Sequence, residues 1–339
     1  MLATVESFYR TFLDIYCPAF FFGTVAMQGI LIYFILFQTG AKMGVFRYIL
    51  GHTSVCQLIL LFITISCQFR MISSKVPVEV RCYGPFRFFP AVYTYALHQA
   101  FQFFLFMSGM SIIVTLYFKL MTFNFTRMTK AAMIITFLLF HIPVAFSGGL
   151  EIYLVITVSL PKEIQEMYAL KNLDVSLYST AGTMKLQTVS FMNFLIMVGS
   201  VFVYPFASFW IRHRILKHLN HHLNSFSSHN KAQHRSFVTV SYSRTMIGNT
   251  FFFQGLTLQS FLPVLTYFPL FALYVFCVTT GAEIIFQQYF IYLMPTTPAL
   301  IDPFVTLFFV VPYRKKILTW CGLNKRSSVG PQSVSTVMS

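Results

Sequence analysis

Long stretches without a single charged residue recur along this chain, and no water-soluble fold accommodates them. A membrane-crossing helix needs about 20 consecutive apolar residues at roughly 1.5 Å of rise each. Between Asp14 and Lys42 lie 27 uncharged residues, between Arg47 and Arg70 lie 22, and between Arg87 and Lys119 lie 31. Lys130 and Glu151 enclose 20, with ten more before Lys162, and Lys185 and Arg212 enclose 26. Arg244 and Glu283 enclose 38, too few for two spans and a turn, so that run counts once. Glu283 and Asp302 enclose 18, and the run resumes from Pro303 to Tyr313. The sequence thus predicts seven helices.

Composition agrees. Of the 339 residues 56% are hydrophobic and only 10% charged, against about 25% charged in soluble domains. So few charges cannot cover a folded chain of this size in water, which excludes soluble domains, disorder, fibres and small disulfide scaffolds together. The first run is not read as a cleaved signal peptide, because Glu6 and Asp14 flank it, Arg10 is its only cation, and it is too long for the apolar region of one.

Charge sets the expected orientation. The net +15 does not point to nucleic acid, because the cations sit between apolar runs. With the N-terminus outside, the cytoplasmic segments hold 16 Lys and Arg and no carboxylate, while the outer segments hold eight cations and eight acids. The positive-inside rule favours that arrangement. The expected fold is all-α, a seven-transmembrane bundle with N-terminus outside and C-terminus cytoplasmic. Residues 1–311 form the bundle, and 312–339 a cytoplasmic tail made of a short interfacial helix and a disordered Ser/Val-rich end. No internal repeat marks a transporter of two similar halves.

Few residues inside the spans carry chemistry. Asp302, in Pro295-Thr-Thr-Pro-Ala-Leu-Ile-Asp-Pro303, is the one carboxylate deep in a span. An ionisable group in lipid is costly, so it should face the interior with a partner. Pro298 and Pro303 remove backbone hydrogen bonds around it and predict a kinked helix. In the outer half of the third span, His98 and Gln102 share a helix face and Gln99 is adjacent. They suit either a small-molecule pocket or an interhelical hydrogen-bond cluster. Tyr267 and Gln287 lie at similar depth.

Six of the nine histidines fall after the fifth span, among them His218 and His222 at i, i+4. No acid or cysteine joins them, so a solvated basic loop is expected and no metal or cofactor. Asn124-Phe125-Thr126 matches the glycosylation sequon but falls on the cytoplasmic side of this topology, so no glycan is expected. Cys321, beside Trp320 and after Arg314-Lys315-Lys316, has the setting of a lipidated cysteine or of a plain thiol. Cys17, Cys82 and Cys277 lie near outer helix ends where oxidation can occur; Cys82 is the first choice for a bridge, and spacing names no partner for it.

Four segments carry a resemblance. Cys67-Gln68-Phe69-Arg70, Cys82-Tyr83-Gly84-Pro85, Gln259-Ser-Phe-Leu-Pro263, and Asp302-Pro303-Phe304 with Pro312-Tyr313-Arg314 together resemble the delta class of nematode serpentine chemoreceptors, which are seven-transmembrane and G-protein-coupled-receptor-like. The resemblance runs from Tyr9 to Ile317. It implies a plasma-membrane receptor in the sensory cilia of chemosensory neurons, coupling a small odorant-like ligand to a heterotrimeric G protein. Asp302-Pro303 is similar to the Asn/Asp-Pro motif that rearranges on activation, and Tyr313 and Arg314 fall at the coupling end. Tyr117-Phe118-Lys119 stands where many receptors have an Arg between an acid or Tyr and a Tyr, with Lys119 in place of the Arg. The loop from Ser159 to Lys185 has no cysteine, so the usual bridge to the third helix is impossible, leaving Cys82 to Cys17, to Cys277 or free. The alternative function is a ligand-gated channel or a transporter. Catalysis is not expected, since His98 and His141 have no carboxylate beside them.

Overall fold

The computed structural model describes residues 2–38, 46–72, 78–123, 129–157, 179–183, 187–225, 257–262, 264–309 and 311–320. Helix α1 (Leu2–Tyr33) ends in a π turn, Phe34–Gln38, and α2 (Phe46–Cys67) returns. Strands β1 (Phe69–Met71) and β2 (Val78–Cys82) and a 3-10 turn, Pro85–Phe88, lead into α3 (Ala91–Phe123). Then follow α4 (Lys130–Thr157), β3 (Ser179–Thr183) and α5 (Thr188–Ser225). Helical residues 257–262 and 264–266 precede α6 (Phe268–Thr280) within one span, Thr257–Thr280. The last span is two helices, α7 (Ile285–Leu293) and α8 (Thr297–Phe309), joined by a 3-10 turn at Met294–Thr296, and α9 (Val311–Trp320) closes the described chain.

Among the described residues there are seven helical spans of membrane-crossing length and apolarity, as the uncharged runs require. Their side chains are apolar nearly all round, which in lipid removes the need for a polar outer face. Burial therefore differs by position in the bundle. Of the most apolar stretch of α3, 67% is buried, against 11% for α4, whose Ile135, Leu138, Leu139 and Ile142 face outward. Helix α3 is the central post and packs on α2, α4 and α5. At its contact with α5 a β-carbon on Gly109 would lie 2.4 Å from Tyr204 Cε2, so only glycine permits that approach.

Two features differ from the expectation. Glu151, taken as the outer limit of the fourth run, lies inside α4 and is buried. A three-stranded antiparallel sheet, in the order β1-β2-β3, lies where only loops were expected. Met71 pairs with Val80, and Val80 with Ala181. Strands this short carry no readable alternation, and β3 is supplied by a segment about a hundred residues beyond β2 in sequence.

The turn that starts the sheet is tightly specified. Gln68 takes a left-handed conformation (φ 45°) and ends α2 with its N–H on Thr64 O at 2.8 Å. The orphaned carbonyl of Cys67 then receives the N–H of Gly84 at 2.9 Å. A β-carbon on Gly84 would sit 2.3 Å from Ser66 O, so glycine is required at this crossing.

Candidate ligand-binding site

Beneath the sheet lies a cavity of about 160 Å³ between α3, α5, α6 and α7, with Met71 of β1 and Val80 of β2 above it. An apolar void of roughly this size holds a benzene-sized molecule. The sheet is fastened to the bundle on two sides. Thr94 of α3 and Ser179 of β3 share a hydroxyl hydrogen bond at 2.9 Å. Arg70 of β1 donates from Nη2 to Gln288 Oε1 of α7 at 3.0 Å, and its guanidinium stacks over Tyr289 at 4.6 Å.

Most of the wall is apolar, formed by residues such as Leu105, Met197, Phe271 and Ile291. The polar groups come mainly from α3. His98, Gln99 and Gln102 all line the cavity, as their shared helix face predicts. His98 Nε2 is 3.0 Å from the Tyr292 hydroxyl, and the ring of Phe69 meets the His98 ring edge-on at 5.5 Å, so His98 joins α3, α7 and β1. Gln102 Oε1 accepts from Asn193 Nδ2 of α5 at 3.4 Å. Asn193 Oδ1 in turn accepts from Ser147 Oγ of α4 at 2.8 Å, and Ser147 also lies 3.4 Å from Glu151 Oε1.

The network thus runs from the cavity wall to a carboxylate that is only 3% exposed. Among the described residues, Tyr95 Oη, Gln99 Oε1 and Ser190 Oγ on the wall, and Glu151 Oε2 behind it, have no hydrogen-bond partner. Each buried unsatisfied group costs about 1–3 kcal/mol. A ligand that carries a hydrogen-bonding group can meet these groups there.

Two sequence candidates are buried but lie off the cavity wall. Tyr267 sits one turn before Phe271 on the same face of the sixth span, below the floor. Gln287 is one turn before Ile291, toward the sheet. Conversely, Glu151, Asn193, Ser190, Tyr274 and Tyr292 escaped the sequence reading. The signal was present for Asn193, an amide amid the apolar fifth run, and for Glu151, an acid with ten uncharged residues beyond it. Tyrosines carry no such signal in a chain that has 18 of them.

A second polar region lies farther from the sheet. Asp302 is buried, and its Oδ1 accepts from Gln259 Nε2 of the sixth span at 2.7 Å, so the deep carboxylate has the interior partner it requires. Pro303 has no N–H for the carbonyl of Ala299 four residues back. Gln28 of α1 takes that place: its Nε2 donates to Ala299 O at 2.7 Å and to Gln57 Oε1 of α2 at 2.8 Å. One proline thereby links three spans. The break in the last span comes at Met294–Thr296, where Pro295 and Pro298 each withhold an amide.

At the end opposite the sheet, Tyr117 packs its ring on Phe140 of α4 at 5.1 Å. Tyr313 is fully buried against Phe34 at 5.6 Å, and Trp320 covers Phe34 at 5.0 Å, so α9 is seated on the end of α1. Lys316 Nζ donates to Gln38 Oε1 there, and Arg314 is half-buried. The side chain of Lys119, Asn124, Pro263 and Cys321 lie outside the described residues. The five described cysteines are free and buried. Cys82 meets neither Cys17 nor Cys277; its Sγ lies 3.0 Å from the carbonyl of Cys67. The β1–β2 pairing, invisible in cysteine spacing, brings those two residues together. Among the described residues no group of three or more His, Cys, Asp or Glu could hold a metal ion.

Seven apolar spans around an internal cavity define a multi-pass membrane protein of the seven-helix receptor class. The family model described as "Serpentine type 7TM GPCR chemoreceptor Srd" matches residues 13–319, and the chain belongs to that family. It is 39% identical over 324 residues to serpentine receptor class delta-40 of Caenorhabditis elegans, covering 95% of this chain and 97% of that one. It is 31% identical over 332 residues to class delta-47, with 97% and 99% covered, and 29% over 322 residues to class delta-45, with 95% and 96% covered, both from the same organism. The family is one of chemoreceptors, not of enzymes.

Proposed function

We propose that this chain is a plasma-membrane chemoreceptor that binds a small, mainly apolar, odorant-like ligand in the cavity beneath the sheet and signals to a heterotrimeric G protein. The supporting observation is a cavity of about 160 Å³ whose wall is apolar except for a few convergent polar groups, three of them without a hydrogen-bond partner among the described residues. Such a site favours a compact molecule with one or two hydrogen-bonding groups, read by Gln99, Gln102 and Asn193. Sensory cilia of chemosensory neurons are the proposed location.

In this reading the sheet end faces outward and the 16 cations face the cytoplasm, where a basic surface suits an acidic partner. The last span carries the signal. Ligand contacts on Ile291 and Tyr292 of α7 bias the broken Met294–Thr296 turn, and α8 below it bears Asp302, Pro303 and, through α9, Tyr313 and Arg314. Tyr117 and Lys119 complete the coupling surface from α3. A ligand shifts this equilibrium only if it binds one arrangement better than the other.

The test is calcium imaging of cells expressing the full chain with a promiscuous G-protein subunit, challenged with a panel of benzene-sized alcohols, ketones, esters and amines. The reading expects a response to a subset that share a hydrogen-bonding group, weakened at least tenfold by Gln102→Leu at equal surface expression. Ligand-evoked current without any G protein would replace it with the channel alternative. An N-terminal epitope inaccessible on intact cells would reverse the orientation.

A further inference from the structure

We infer that Cys67 and Cys82 form a disulfide in the mature protein, a covalent staple that closes the β1–β2 sheet over the ligand cavity. The inference rests on the reading that the sheet end is extracellular, since disulfides persist in oxidising compartments and not in the cytosol.

Four structural facts place the pair. Cys67 is the last residue of α2 and Cys82 the last of β2, and both side chains are completely buried. The strand register sets Cys82 opposite Phe69, two residues beyond Cys67, and the left-handed turn at Gln68 folds the helix end back toward β2. Cys82 Sγ lies 3.0 Å from the carbonyl oxygen of Cys67 itself, which brings it up to the Cys67 backbone. A disulfide requires the sulfurs to close to about 2.05 Å, which rotation of the two side chains about their Cα–Cβ bonds must supply. Bond formation removes the Cys82 S–H donor from the Cys67 carbonyl, but that oxygen keeps the Gly84 N–H at 2.9 Å, so nothing buried is orphaned.

Oxidation proceeds by exchange while the sulfurs are still open to solvent. The thiolate is the attacking species in thiol–disulfide exchange. As the sheet folds and before both sulfurs are covered, Cys82 thiolate attacks the disulfide of a lumenal protein dithiol–disulfide carrier. One carrier sulfur leaves as a thiolate, giving a mixed disulfide. Cys67 then loses its proton and attacks Cys82 sulfur, expelling the second carrier thiolate. Two thiols are oxidised, one carrier disulfide is reduced, and the two protons end on the carrier.

The staple has a position that matters. It lies at the foot of the hairpin whose paired residues Met71 and Val80 form the top of the cavity. It also substitutes for the absent bridge between the third helix and the cysteine-free loop from Ser159 to Lys185.

The full chain, expressed in animal cells, is denatured in N-ethylmaleimide without reductant, digested and mapped by mass spectrometry. The expected result is a cross-linked peptide pair containing Cys67 and Cys82 that disappears on reduction and in Cys67→Ser, and persists in Cys17→Ser and Cys277→Ser. Recovery of both cysteines as singly alkylated thiols, or of Cys82 linked to Cys17 or Cys277, would overturn the inference. The unsubstituted chain decides the point even if Cys67→Ser does not fold. Epitope access on intact cells reads orientation separately: free thiols beside an outward N-terminus defeat the staple alone, while an inward N-terminus defeats the topology.

Discussion

The two polar regions inside the bundle treat their hydrogen-bonding groups differently. Under the sheet, Tyr95 Oη, Gln99 Oε1 and Ser190 Oγ border a void without partners. Farther down, Gln28 spends both amide hydrogens on α2 and α8, Gln259 gives one to Asp302, and none of these side chains lines the cavity. The upper region holds unmet capacity beside space that a guest can fill. The lower one ties helices together, and although Gln28 Oε1 and Gln57 Nε2 have no partner among the described residues either, the cavity does not adjoin them. A binding site and a switch make these opposite demands on the same residue types.

The sharpest way to break that comparison is Asp302→Ala. It removes the Gln259–Asp302 hydrogen bond inside the bundle, and the expected result is at least a tenfold loss of signalling at matched surface expression, with Asp302→Asn retaining most of it because an amide oxygen still accepts. An unchanged Ala variant would remove the carboxylate from the switch. Next comes Gln28→Leu, which leaves the Ala299 carbonyl and Gln57 Oε1 without donors. Thermal unfolding in detergent should show destabilisation of about 1–3 kcal/mol, the cost of unsatisfied buried acceptors.

Gln99→Leu probes the opposite case. It deletes an acceptor that has no partner, so Tm should stay level or rise while sensitivity to hydrogen-bonding ligands falls several-fold. A fall in Tm as large as that of Gln28→Leu would erase the distinction between the regions. The smallest effect is expected from Glu151→Gln, which keeps shape and one acceptor. Stability should move by under about 1 kcal/mol, with ligand preference shifting away from amines and other donors in the dose–response series.

Much of the architecture was legible because lipid makes charge intolerable along a span: seven uncharged runs gave seven helices. His98, Gln99 and Gln102 were legible by helical spacing alone, and all three reach the cavity. Glu151 was misread because a charged residue was taken to end a run, whereas Ser147 and Asn193 give this one a buried setting. Tyr267 and Gln287 were placed by depth, and depth alone cannot tell the wall of a cavity from the turn above or below it. The proline of Asp302-Pro303 announced a broken helix, but not that Gln28 would take the vacated carbonyl.

The chain's own order of residues determined the number of spans, their limits to within a turn at most ends, and which helix would carry the polar face, since each depends on local apolarity and the 3.6-residue period. Tertiary structure decided which polar groups meet, because those meetings join residues up to 278 positions apart. It also decided that Cys82 faces Cys67: a strand register is a choice among pairings, and it is settled only when β1, β2 and β3 close over the helices together.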